Sequence, residues 1–188
     1  MIEQIRQRLS LYRPAHTASD DLNRAAVLIP LYAHRDELHV ILTKRTDKVE
    51  HHKGQISFPG GAFDPTDADL VYTALRESHE EIGLVPEHVE VIGQSDDMTT
   101  ATGFHVSVFI GSMSGPSPYP WRPYAEEVAE IIEVPLPHLL DPRNTVPFER
   151  EFDGIVRQLE AFKFGDHLVW GATHRMLRRF LDIAAAPE

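Results

Sequence analysis

The sequence predicts a single α/β domain. Short apolar runs with strand character alternate with segments of helical periodicity, the pattern of a mixed α/β fold. The 188 residues are about one domain's worth and enough to bury a core. No internal repeat and no inter-domain linker interrupts them.

The elements follow in order. Ile2, Ile5, Leu9 and Tyr12 recur at helical spacing, predicting a helix over 2–12. Residues 1–21 then read as this helix and a lead-in to a domain over 22–184. AAVLIPLYA, 25–33, reads as a buried strand interrupted at Pro30, an edge or bulge position. ELHVILTKR, 37–45, reads as a second strand. GQISFPGGAFDPTDADL, 54–70, is rich in Gly, Pro and Asp and reads as a loop. A helix is predicted over 68–82, capped by Thr66 or Asp67 and stopped by Gly83. Strands are predicted at 88–94 and 104–111. The Pro-rich GPSPYPWRPY is a loop, and EEVAEIIEVPL is open between strand and helical turn. A hairpin near 151–168 and a helix over 171–184 complete the chain.

Composition narrows the function. The net charge of −11 argues against a nucleic-acid partner, which needs a basic face. Cysteine is absent, so disulfides and thiolate metal sites are out, in agreement with a reducing cytoplasm. No apolar run approaches the ~18 residues that span a bilayer, and the N-terminus has no signal-peptide core. Neither a membrane partner nor secretion is expected.

The segment RESHEEIGL, 76–84, gathers Glu77, Glu80 and Glu81 just before the helix stop. At 100° per residue the three acids share an arc of about 100°. Val71, Leu75, Ser78 and Ile82 form the stripe facing the core, so the acids are expected to flank it unburied. Acids in a last turn oppose the helix dipole by roughly 0.3–1 kcal/mol each. A solvated face is the plain explanation. A divalent cation is the sharper one, because Mg²⁺ takes oxygen ligands from one or two carboxylates together with substrate phosphates.

The flanking residues favour the cation. Pro59, Gly60 and Gly61 lie between strand and helix, where glycines let backbone approach a ligand. Gly61, Arg76, Glu77, Glu80, Glu81, Gly83 and Leu84 together resemble the Nudix box. Asp67 stands in place of its outlying Glu, the spacing to Arg76 is one residue longer, and Ser78 replaces an aliphatic. The longer spacing, together with ILTKRTDKVEHHKGQISFPGG, TALRE, TGFHVSVFIG and VWGATHRML, is similar to the coenzyme A pyrophosphatase branch, over residues 22–182. Thr46 and Glu50 depart from it, Glu50 standing where Arg is usual.

The resemblance implies a single-domain α/β/α sandwich with a mixed β-sheet. It also implies Mg²⁺- or Mn²⁺-dependent hydrolysis of a small-molecule nucleoside diphosphate derivative. Glu77 and Glu81 are then metal ligands, Glu80 a third or water-mediated one, and the Gly60 carbonyl completes the sphere. Arg76 orients Glu77, and Asp67 supports the start of the helix. Arg45, Lys53 and Gly61 are expected at the substrate, with His51 or His52 as alternative cations. Glu126, Glu127 and Glu130 are candidates for the general base, and Glu127 is favoured. The resemblance admits a homodimer. Tyr119, Trp121 and Tyr124 either stack on an adenine or pack on one another. His105, in an apolar strand, is expected as a core or pocket-wall residue. No His-based zinc site is expected, since none of the eleven histidines forms H-E-x-x-H.

Overall fold

The computed structural model describes residues 1–16, 21–48, 53–152 and 154–186. The elements are α1 (Ile2–Leu11), β1 (Asn23–His34), β2 (Glu37–Arg45), β3 (Ile56–Ser57), β4 (Gly60–Ala62), α2 (Leu70–Ile82), β5 (Val89–Gln94), β6 (Met98–Thr99) and β7 (Phe104–Met113). After these come β8 (Val128–Pro135), α3 (Leu136–Leu140), β9 (Thr145–Phe152), β10 (Ile155–Phe164), β11 (His167–Val169) and α4 (Gly171–Ala185).

The main sheet runs β3-β2-β1-β7-β5, with β4 also on β1, β6 on β7 and β8 on β2. β1 and β7 are parallel and the other pairs antiparallel, so the sheet is mixed. A second sheet, β11-β10-β9, stands beside it. One face of the main sheet (Ile29, Leu31, Val108, Ile110) buries against Ile5 and Leu9 of α1 and Leu177 and Phe180 of α4. The other (Ala26, Leu28, Phe109) buries against Ala74 and Ile82 of α2. The architecture is an α/β/α sandwich.

Several expectations change. Pro30 is not at an edge: it pairs with Gly111 inside the central strand. It falls where the other side of β1 changes partner, from β4 at Ala25–Val27 to β2 from Leu31 onward. A residue without an N–H is tolerated where the ladder changes hands. The stretch 54–70 is not all loop, because β3 and β4 pair with β2 and β1. EEVAEIIEVPL resolves into β8 followed by the short α3. The hairpin starts earlier than expected, at Thr145. Among the described residues, no helix is long and apolar enough to cross a membrane.

Helix α1 is packed, not appended. Ile5 and Leu9 are buried, and the packing beside Leu9 is close enough that a Cβ on Gly93 of β5 would lie 2.8 Å from the Leu9 Cβ. Arg6 pairs with Glu90, and Arg8 donates to the Ala184 carbonyl. Leu9→Ala is therefore expected to destabilise the protein by about 2–5 kcal/mol, measured by urea unfolding. An unchanged midpoint would show that α1 is not part of the cooperative unit.

Candidate active site

The site is built where α2 crosses β4. Gly60 has φ +148°, and a Cβ there would lie 2.3 Å from the Ala26 carbonyl oxygen, so only glycine lets β4 come this close to β1. At Gly61 a Cβ would lie 2.5–2.7 Å from the Glu77 carboxylate atoms, so Glu77 rests directly on this backbone. Helix α2 is held at both ends. Asp69 caps the start, accepting from the Tyr72 N–H at 2.7 Å. Gly83 ends it in the left-handed conformation, φ +69°.

The cap is thus neither Thr66 nor Asp67. Asp67 is buried and committed elsewhere: it accepts from Arg76 Nε and Nη2 at 2.8 and 3.0 Å and from the Thr73 hydroxyl at 2.8 Å. The expectation that all three acids flank the core also fails. Glu81 is buried, with 6% of its surface exposed. The buried face of α2 is Thr73, Ala74, Ser78, Glu81 and Ile82, while Val71 and Leu75 are only partly covered. Small Ala74 and Ser78 let the helix sit close to the sheet, which rotates the buried face toward Glu81.

Two arginines organise the carboxylates. Arg76 reaches Glu77 Oε1 at 2.9 Å and Glu80 Oε2 at 3.1 Å with Nη1, in addition to its bidentate bonds to Asp67. These charge-assisted bonds hold Asp67 well below the ordinary carboxylate range and raise Arg76. Arg45 lies between Glu81 and Glu127, at 3.8 and 3.7 Å. Both separations are too long for hydrogen bonds, and Arg45 Nε is buried without a partner. Glu81 accepts from the Gly60 N–H at 3.2 Å. Burial pushes Glu81 up to about 8, against the pull of Gly60 and Arg45. Burial also raises Glu77, opposed by Arg76.

The structure thus brings Gly60, Gly61, Arg45, Arg76, Glu77, Glu80, Glu81 and Glu127 together. Lys53 is exposed in the turn before β3, with no described contact to the acids. Glu50, His51 and His52 lie outside the described residues. Glu126 pairs with Lys48 at 3.1 Å and Glu130 with His167 at 3.2 Å, so of the three base candidates Glu127 is the one sharing a cation with Glu81. Among the described residues no three His, Asp or Glu side chains form a ready cation cage. The candidate donors, the Glu77, Glu80 and Glu81 carboxylates and the Gly60 carbonyl, are all hard oxygens, and Glu81 already faces a cation, the Arg45 guanidinium, so they fit a divalent ion such as Mg²⁺ or Mn²⁺.

The aromatic loop packs on itself. The Tyr119 and Trp121 rings lie 4.4 Å apart, and Trp121 Nε1 donates to Glu133 at 2.6 Å. Tyr124 is exposed. His105 Nε2 sits 3.3 Å from Asp97 but is buried without a hydrogen-bond partner, so it is not a satisfied core histidine. Sequence reasoning missed the stitching of this loop to α2: the Arg122 and Tyr124 N–H groups donate to the Ile82 and Glu81 carbonyls at 3.0 and 2.8 Å. No pattern of side chains signals such backbone bonds.

The model of the NUDIX domain family matches residues 22–152. The chain belongs to the Nudix hydrolase family. Its activity is therefore hydrolysis of nucleoside diphosphate derivatives, and Nudix hydrolases generally need divalent metal ions. It is 37% identical over 189 residues to a protein of Enterobacter sp. (strain 638) named "Uncharacterized Nudix hydrolase NudL", covering 99% of this chain and 96% of that one. The fold is similar to a MutT/nudix family protein from Enterococcus faecalis (TM-score 0.57, 15% identity, 95% of this chain and 68% of that one). It is also similar to the NUDIX domain of Shewanella oneidensis NrtR complexed with ADP ribose (TM-score 0.51, 23% identity, 71% and 84%).

The Asp67–Arg76 pair gives this Nudix site a pH signature. Asp67 titrates below its unfolded value, so its contribution to stability is present above about pH 4 and lost as pH falls through the folded value. Between about pH 5 and 2 the wild type is expected to lose stability more steeply than Asp67→Asn, read by urea unfolding at each pH. Parallel curves would mean that the pair does not differ between folded and unfolded states.

Proposed function

We propose that the chain hydrolyses the diphosphate of coenzyme A or its derivatives to 4′-phosphopantetheine and adenosine 3′,5′-bisphosphate, with Mg²⁺ or Mn²⁺. The observation that carries the chemistry is the pair Glu77 and Glu81 set over Gly60–Gly61, with Arg45 bridging Glu81 and Glu127. The segments similar to the coenzyme A branch, Gly54 to Gly61 above all, support the substrate.

In this reading Glu77 and Glu81, with the Gly60 carbonyl and Glu80, hold the ion. When bound, the ion neutralises diphosphate charge and lowers the pKa of water. Arg76 fixes the Glu77 carboxylate and does not touch substrate. Arg45, with its unpartnered buried Nε, is set to receive a phosphate oxygen, and Lys53 and the Gly61 backbone are proposed as further substrate contacts. Glu127 takes a proton from the attacking water. Oxygen bonds to one phosphorus, the bridging P–O bond breaks, and the other phosphate leaves.

A second reading keeps the chemistry and changes the substrate to ADP-ribose, NADH or another nucleoside diphosphate derivative. Glu50 favours it, since a carboxylate in place of a cation weakens recognition of an extra phosphate. A binding module without catalysis is disfavoured, because every acid of the motif's helical half is present.

Purified protein with Mg²⁺ or Mn²⁺ is expected to cleave coenzyme A in preference to dephospho-coenzyme A, ADP-ribose and NADH, read by chromatography of products. Preference for substrates without the 3′-phosphate would select the second reading, and binding without turnover the third. Chelation with EDTA is expected to abolish turnover. Glu81→Gln is expected to lose both metal binding and turnover, and intact binding and turnover in that variant would remove Glu81 from the ligand set. Glu127→Gln is expected to lower kcat by about 10²–10⁴-fold with metal binding intact, and a normal kcat would remove it as the base.

A further inference from the structure

We propose that Thr46 is a positioning residue for the reaction, holding the turn that carries Glu127 against the last turn of α2. The inference rests on the assignment of Glu127 as base. Thr46 is buried and directly follows Arg45. Its N–H donates to the Glu127 carbonyl and its hydroxyl to the Glu126 carbonyl, both at 2.8 Å. Regular pairing of β2 with β8 breaks just before it: Lys44 faces Glu130, whereas Arg45 faces Val128. Thr46 carries the connection past this irregularity.

The same turn is tied from its other side. The N–H groups of Glu127 and Val128 donate to the Tyr124 carbonyl at 2.9 and 2.8 Å, and the Tyr124 N–H donates to the Glu81 carbonyl. Glu81 and Glu127 are therefore joined through backbone, with Thr46 closing the loop from the sheet. The Glu127 carboxylate itself is weakly held. Its side chain is 44% exposed, and its contact with Arg45, at 3.7 Å, is not a hydrogen bond. Its position is set by its backbone, and the Thr46 hydroxyl is a side-chain bond that acts on that backbone.

Thr46→Val removes the hydroxyl and keeps the shape, and Thr46→Ser keeps the hydroxyl. With Mg²⁺ and whichever diphosphate substrate is turned over, Thr46→Val is expected to lower kcat about tenfold with KM within about twofold, and Thr46→Ser to stay within about twofold of wild type. In the Glu127→Gln background Thr46→Val is expected to add no further loss, because it acts through Glu127. Amide hydrogen exchange across 124–130 supplies a readout without substrate: Thr46→Val accelerates it about tenfold relative to Thr46→Ser. A normal kcat in Thr46→Val, an equal loss in the Glu127→Gln background, or unchanged exchange would each overturn the proposal. Full turnover by Glu127→Gln alone would instead remove the base assignment, while exchange would still report whether Thr46 holds the turn.

Discussion

The arrangement depends on the close approach of α2 to β4, which buries the Glu81 carboxylate against the Gly60 N–H. Side chains larger than those present would prevent it. A Cβ on Gly60 would strike β1, one on Gly61 would strike Glu77, and Ala26, Ala74 and Ser78 keep the helix–sheet gap narrow. The approach is unfavourable to Glu81, which burial drives toward its neutral form. A sequence selected for stability alone would place a small apolar side chain there. A carboxylate at that position is therefore a cost to the fold, and Nudix hydrolases generally need divalent metal ions, for which carboxylate oxygens are suitable ligands.

The two arginines divide the electrostatic work. Arg76 makes short bonds to Asp67, Glu77 and Glu80. Its bond to Glu77 opposes the rise that burial imposes on that carboxyl, which stays raised all the same. Arg45 makes only long contacts and keeps a buried N–H unmatched. A buried unmatched donor costs roughly 1–3 kcal/mol, so the Arg45 Nε weakens the fold as it stands.

Much of this was legible in the sequence. Arg76, Glu77, Glu80 and Glu81 lie on one helix stopped by Gly83, as read, because within a helix spacing fixes geometry. The burial of Glu81 was not legible, because a helical wheel weighted by large apolar residues centres on Val71, Leu75 and Ile82 and gives no weight to Ala74. The caps went astray because Asp64, Thr66, Asp67 and Asp69 all suit a helix start, and the bond from Arg76 nine positions on decides that Asp67 is taken. The short strands β3 and β4 were hidden by Gly and Pro, which signal a turn whatever pairs with it. Pro30 was misjudged because a central strand that changes partner midway has local freedom that composition does not reveal.

The acids at the C-terminal end of α2 oppose the helix dipole, and the structure shows how the fold accommodates them. Four of the carbonyls toward the negative end have backbone donors. Those of Ser78 and His79 accept from Leu84 and Gly83, and those of Glu81 and Ile82 from Tyr124 and Arg122. Each N–H brings a partial positive charge to the place where the carboxylates gather, which offsets part of a penalty of roughly 0.3–1 kcal/mol per acid. The donors from 122 and 124 belong to the segment that goes on to present Glu127. The bonds that make an acidic helix end tolerable therefore also bring the fourth carboxylate to the other three. Gly83 is required for this junction in a second sense: a Cβ there would come within 2.8 Å of the Arg122 side chain, so the residue that stops the helix also admits the loop that completes the site.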